Sequence, residues 1–257
     1  MLDTPPYYMK KIYVEHLRKK YNKLEAVKDI SFDVQGGEIF GLIGPNGSGK
    51  TTTLHAVVGI VTPTSGRVEI DGIEAGRTAA KHRFGFVPDD LGMPLTLTGE
   101  EFLRFTRKLY GIDDDRRTMV LVRIFGMEQA LSRLIEEYSH GMKKKLLIIA
   151  SLLHDPEILI FDEPFRGLDP ETVITLKTLI SREKERGKAI LVASHDLLLA
   201  QHYFDRVAVI SRGRVVALGT IDALLREYET RSLEEVFLIA SGLMKRRKEV
   251  EKELDHL

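Results

Sequence analysis

The run Gly44-Pro45-Asn46-Gly47-Ser48-Gly49-Lys50-Thr51-Thr52 has the spacing G-x-x-x-x-G-K-[ST] and carries the most specific chemistry in the chain. Its glycines let the backbone bend so that successive N–H groups point inward, which suits phosphate oxygens. A helix directly behind the loop adds the partial positive charge of its N-terminus. Lys50 supplies a full charge to β- and γ-phosphates, and Thr51 offers a hydroxyl to Mg²⁺, a cation that takes oxygen ligands and keeps several waters. A glycine-rich turn with an unrelated lysine would share these letters. The flanking order of strand, loop and helix argues for the phosphate reading.

A second run, Ile158-Leu159-Ile160-Phe161-Asp162-Glu163, delivers two carboxylates at the end of an apolar strand, where open α/β sheets bind ligands. Asp162 can hold Mg²⁺ through water. Glu163 points elsewhere and is placed to orient and deprotonate the water that attacks a γ-phosphate. An apolar strand ending in Asp-Glu says little alone; beside a phosphate loop it says much more. His195 follows the apolar residues 189–193 and Ser194, so its imidazole is placed to reach the same phosphate from a neighbouring strand. Glu163, His195 and Lys50 are therefore the candidate catalytic residues. His16, His55, His82, His140, His154, His202 and His256 have no such placement.

These groups need a scaffold that brings strand ends together. Residues 38–43 read as a strand, 50–58 as a helix, 158–161 as a buried strand, 171–186 as a helix, 189–193 as a strand and 196–202 as a helix. Strands alternating with helices imply a parallel sheet covered on both faces. Residues 207–210 and 215–217, joined through Arg212 and Gly213, read as a hairpin. Residues 91–153 read as helices only, with Thr98 and Glu101 forming a capping box and Gly111 closing that helix. Ser232 and Glu235 form a second box, and Leu233, Val236, Phe237 and Ala240 fall on one helical face that is expected to dock on the chain's own core. The expected division is an α/β core over 1–90 and 154–222, a helical insertion over 91–153, and a helical tail over 223–257.

Composition bounds the function classes. Over 257 residues, 43% are hydrophobic and 30% charged, which supports a proper core. Cysteine is absent, so disulfides and thiolate metal sites are excluded, which fits a reducing compartment. Lysine plus arginine balance aspartate plus glutamate at 38 each, so no overall field draws the chain to nucleic acid, and no nucleic-acid partner is expected. The apolar run at 146–150 is far shorter than the roughly 18 residues that cross a bilayer. Residues 1–11 lack the pattern of a secretory signal, and residues 245–257 read as a solvated helix or frayed tail.

In this order, the phosphate loop, the helical insertion, Tyr138-Ser139-His140-Gly141-Met142, Ile160-Phe161-Asp162-Glu163-Pro164, Gly167-Leu168-Asp169 and Ser194-His195 resemble the ATP-binding-cassette (ABC) ATPase subunits over residues 13–219. The resemblance implies an α/β P-loop NTPase fold with a mixed, mainly parallel sheet, an ATPase activity with ATP and Mg²⁺ as cofactors, and composite sites between two such subunits. It implies that Ser139 and Gly141 meet the γ-phosphate of ATP held by the facing subunit, although alone they would be an ordinary helix cap. Asp169 would couple the two sites, and Tyr21 would stack on adenine. The signature departs from Leu-Ser-Gly-Gly-Gln at Tyr138, His140 and Met142, and Asp89 stands where the family places glutamine, near the metal and γ-phosphate. Lys143, Lys144 and Lys145 open the signature helix; most of that charge is expected to be solvated, and since the three point about 100° apart, one of them could face the interface phosphate.

The degenerate signature and the segment Leu233-Glu234-Glu235-Val236-Phe237 resemble exporter-type and drug-type members. The implied partners are a second ATP-binding subunit and an integral membrane transporter subunit, with the chain cytoplasmic and peripheral on the inner face of the membrane. Two alternatives share the fold. One is a non-transport ABC ATPase of DNA repair or translation, whose long coiled-coil insertion or second cassette is missing here. The other is a regulatory ATP-binding module with weak hydrolysis, suggested by Asp89 and the altered signature. Measured turnover separates the last from an enzyme.

Overall fold

The computed structural model describes residues 10–244, 249–250 and 253–254. The readings of residues 1–9 and of most of the charged run after 244 lie outside the described residues. In chain order the elements are β1 (Lys10–Tyr21), β2 (Leu24–Gln35), β3 (Ile39–Ile43), α1 (Lys50–Val57), β4 (Ser65–Ile70), β5 (Ile73–Glu74), α2 (Thr78–Lys81), β6 (Phe84–Val87), α3 (Gly99–Leu109), α4 (Arg116–Ile124), α5 (His140–Leu152), β7 (Ile158–Asp162), α6 (Pro170–Glu185), β8 (Ala189–Ser194), α7 (Leu197–Tyr203), β9 (Arg206–Ser211), β10 (Arg214–Thr220), α8 (Ile221–Glu227) and α9 (Leu233–Ala240). Two short 3₁₀ turns, Glu128–Ala130 and Ile135–Glu137, lie between α4 and α5.

The strands form one sheet in the order β5-β4-β1-β2-β10-β9-β3-β8-β7-β6. Parallel pairing joins β9, β3, β8, β7 and β6, whereas β5, β4, β1 and β2 form an antiparallel lobe. Every residue of β3, β7 and β8 is buried, the pattern of strands covered on both faces. β9 and β10 make the expected antiparallel hairpin.

The antiparallel lobe and β6 were not placed by the sequence reading. In β1 the inward residues Ile12, Val14 and Leu17 are fully or nearly fully buried, but register shifts at the lysine-rich end break the alternation that marks a strand. β6 has only four residues. The lobe matters because α1 packs between it and the parallel sheet. Leu54, Ala56 and Val57 of α1 share one core with Val27, Ile30, Leu42 and Leu191. Truncating Leu54 to alanine would cost about 2–5 kcal/mol at such a site.

The other face of the sheet carries α3 to α9. Leu103, Val122, Leu146 and Ile149 of the insertion join Ile39, Leu159 and Ile190 of the strands in one continuous core. Thr98 and Glu101 make the full capping box, and Gly111 takes φ +66°, which closes the helix as expected. Leu233 and Val236 of α9 are fully buried on this core, with Phe237 and Ala240 packed beside them. Among the described residues no helix is long and apolar enough to cross a membrane.

The lysine expectation is overturned for Lys144, while Lys143 and Lys145 are partly exposed. Lys144 has a side-chain exposure of 0%, and Lys145 one of 20%. The cause is periodicity: Lys144 lies one turn from Ile148 on the stripe of α5 that faces the core.

Candidate functional site

The phosphate loop connects β3 to α1 and is built by close backbone approach. Gly44 takes φ +155°, and a Cβ there would stand 2.2 Å from the Ile210 carbonyl oxygen. Gly49 caps α1 at φ +111°, where a Cβ would meet the Ala26 carbonyl at 2.8 Å. The Ser48 carbonyl accepts from Gly213 N–H at 2.8 Å, tying the loop to the β9–β10 hairpin. No side chain caps α1, which leaves its first N–H groups for an anion.

Lys50 is nearly buried and donates to the carbonyl oxygens of Gly44 at 2.7 Å and Pro45 at 3.2 Å. Burial lowers the ammonium below the usual lysine range, while Glu163 and Asp162 pull it back up. Asp162, at the end of β7, is raised by burial, with a Thr51 hydrogen bond acting the other way. Lys50, Thr51, Asp89, Asp162 and Glu163 line one cleft of about 490 Å³, together with Asn46, Gly47, Gly49 and Thr52. Its oxygen donors (the Thr51 hydroxyl and the carboxylates of Asp162 and Asp89) fit Mg²⁺ held jointly with phosphate oxygens. Asp89 Oδ1 accepts no hydrogen bond and lies 3.8 Å from the Lys144 ammonium, so this carboxylate stands between the cleft and α5.

Glu163 occupies the left-handed region at φ +47°, a conformation that costs a non-glycine residue about 1–2 kcal/mol. Its N–H donates to Ala193 of β8 at 3.0 Å, and its carboxylate lies 2.8 Å from His195 Nδ1. The left-handed turn directs the side chain away from Asp162 and toward the end of β8. His195 also borders a neighbouring hollow with Gly44, Pro45, Asn46 and Phe237 of the tail helix.

Other candidates stand apart. Ser139 is the N-cap of α5 and accepts from Met142 N–H at 3.2 Å, and Gly141 lies in the first turn, 3.3 Å from the Gly167 carbonyl if given a Cβ. Asp169 caps α6, and the Thr172 N–H at 2.9 Å holds its carboxyl below the usual range. None of the three is in the wall of the cleft. Tyr21, at the end of β1, is 42% exposed with Lys19 Nζ 4.9 Å from its ring centre, and the cleft wall after it is formed by Leu24, Glu25, Ala26 and Lys28.

The sequence reading missed two cleft-side groups. Arg166 lines the cleft and pairs with Asp89 at 2.8 Å. Lys144 lies behind it, donating to the carbonyls of Glu163 at 2.5 Å and Arg166 at 3.3 Å. The helical stripe of α5 was the available signal for Lys144. Arg166 sits in the turn after β7, and no periodic pattern marks it.

The family model described as "ABC transporter" matches residues 27–166. The linearmycin resistance ATP-binding protein LnrL of Bacillus subtilis is 33% identical over 89% of this chain and 78% of its own length. The bacitracin transport ATP-binding protein BcrA of Bacillus licheniformis is 35% identical over 78% of this chain and 66% of its own. The chain spans 38% of the probable multidrug ABC transporter ATP-binding protein YbhF of Escherichia coli, at 34% identity. A solved ATP-binding subunit of an ABC transporter superposes with a TM-score of 0.85 at 33% identity, covering 90% of this chain and 99% of that one. A dimeric cassette bound to ADP and phosphate, 23% identical with a TM-score of 0.75, shares the fold.

Fold and cleft define a P-loop ATPase of the cassette type. The chain belongs to the ABC transporter family, among its ATP-binding subunits.

Proposed function

We propose that this chain closes face to face with a second ATP-binding subunit, identical or related, over two ATP molecules, and drives export through a separate integral membrane subunit. The observation that carries this reading is the split of the ATP contacts. Lys50, Thr51, Asp162 and Glu163 line one cleft, while Ser139, Gly141 and Asp169 take no part in its walls. A hydroxyl-capped helix start with a glycine in its first turn suits the γ-phosphate of ATP held by a facing copy.

In this reading the loop from Gly44 to Thr52 cradles the phosphates, Lys50 neutralises them, and Tyr21 stacks on adenine. Thr51 and Asp162, with Asp89 beside them, would hold Mg²⁺, which would neutralise phosphoryl oxygens. Glu163 accepts a proton from the attacking water as its oxygen bonds to the γ-phosphorus and the bond to the bridging oxygen breaks, leaving ADP and phosphate. His195 keeps that carboxylate aimed through its 2.8 Å contact. The working partition remains a core over 1–90 and 154–222, a helical insertion over 91–153 and a tail over 223–257.

Export is supported by the resistance, multidrug and bacitracin-transport names of the relatives. The place of action is then the inner face of the cell membrane, through the membrane partner. The test is size-exclusion chromatography of Glu163→Gln in ATP and Mg²⁺, where a persistent dimer is expected. A variant that stays monomeric at high ATP contradicts the composite site. Co-purification with a multi-spanning membrane protein tests the partner.

A further inference from the structure

We infer that Lys144 is a positioning residue for hydrolysis, its buried ammonium fixing the backbone of Glu163 and being balanced in turn by Asp89. The inference rests on the reading of Glu163 as the base.

Three observations carry it. First, the side chain of Lys144 is completely buried, and a buried ammonium persists only where its donors are used and a counter-charge is near. Its donors meet the carbonyl oxygens of Glu163 and Arg166, the two ends of the turn that follows β7. Secondly, that turn holds Glu163 in the left-handed region, which a non-glycine residue keeps only when its surroundings over-determine it. The Arg166 N–H also donates to the Glu163 carbonyl, at 3.3 Å, so Lys144 spans a turn already closed on itself and locks it. Thirdly, Asp89 Oδ1 lies 3.8 Å from Lys144 Nζ and has no hydrogen-bond partner, while Oδ2 pairs with Arg166. A glutamine at position 89 would leave the ammonium without its nearest carboxylate. The aspartate at this position is thereby explained by charge complementarity with α5.

A lysine that merely filled space would be replaceable by an apolar side chain of the same length. Lys144→Met keeps the stem and removes every donor. The kcat of the purified chain for ATP hydrolysis is expected to fall about 10- to 100-fold, the scale of a misplaced catalytic group, with KM for ATP little changed. Lys144→Arg, which keeps charge and donors, restores most of the rate. Lys144→Met combined with Glu163→Gln is no slower than Glu163→Gln alone, because both act through one carboxylate.

Failure of the two readings is distinguishable. If Glu163→Gln hydrolyses ATP at the wild-type rate, the base assignment falls and the role of Lys144 falls with it. If Glu163→Gln is slow and Lys144→Met keeps the wild-type kcat, the role of Lys144 alone is overturned. Should Lys144→Met not fold, Lys144→Gln, which keeps an amide NH₂ on a shorter stem without the charge, decides the question. A lowered kcat at unchanged KM is expected there, and a wild-type kcat overturns the proposal.

Discussion

His195 Nδ1 lies 2.8 Å from Glu163 Oε1, so the two strand-end residues that sequence spacing assigned separately to one phosphate are joined to each other. With Glu163 ionised, the ring must carry its proton on Nδ1 to make this bond. The histidine therefore acts on the carboxylate from the neighbouring hollow rather than from the wall of the cleft. His195→Ala is expected to lower kcat about 100-fold or more while nucleotide still binds. Steady-state turnover alongside fluorescent-nucleotide binding checks this, and wild-type kcat contradicts it.

Lys50 draws its position from two loop carbonyls and its burial from α1. Lys50→Ala removes the positive charge at the phosphates without touching the core residues of that helix. Hydrolysis is expected to fall at least about 100-fold, as for loss of other charge-stabilising donors, with far-UV circular dichroism unchanged. Retained turnover would remove the phosphate role.

Asp89 and Lys144 face one another at 3.8 Å, with Lys144 fully buried and Asp89 at 28% exposure. Asp89→Ala should destabilise the chain by about 1–3 kcal/mol, below the cost of breaking a fully buried pair because Asp89 is partly solvated. In the Lys144→Met background the same change should cost clearly less. Urea unfolding of the four proteins gives the cycle, and additive effects contradict the pairing.

His154 stacks on Tyr110 at a 3.9 Å centroid distance and lies with Nε2 3.1 Å from the Phe84 carbonyl. Burial lowers its pKa from 6.5 to about 4. Between those values the unfolded chain binds the proton and the native chain does not. Stability from this group is thus full above pH about 6.5 and falls as pH drops toward about 4, by on the order of 2–3 kcal/mol. Wild type should lose more stability than His154→Gln between pH 7 and pH 5 in urea melts; equal losses contradict the assignment.

The strand, loop and helix around Lys50, the β9–β10 hairpin and the Thr98 cap were legible because each rests on local chemistry: a glycine spacing, a Gly213 turn, a hydroxyl three residues before a glutamate. The antiparallel lobe was not, because shifts in the β1 register scatter its buried residues off a strict period of two. The burial of Lys144 was hidden by its neighbours, since three adjacent lysines look solvated until the helix is turned to its true face. The contact between Glu163 and His195 was also hidden, because it depends on a positive φ at a glutamate, which residue type does not announce.

The central claim is that each ATP is handled by the phosphate loop of one chain and the start of α5 of another. Lys50→Ala disables the loop, and Gly141→Asp places a negative charge where the facing γ-phosphate would sit, at a helix start that favours an acidic residue and with a Cβ 3.3 Å from the Gly167 carbonyl. Each variant alone is expected to be inactive. In a mixture, a dimer of the two holds one site with both halves intact, the loop from Gly141→Asp and the helix start from Lys50→Ala. ATP turnover of the equimolar mixture is the direct measurement. Reappearance of hydrolysis above either variant alone is predicted, and a mixture as inactive as its components, although both proteins are folded and associate, would contradict the composite site.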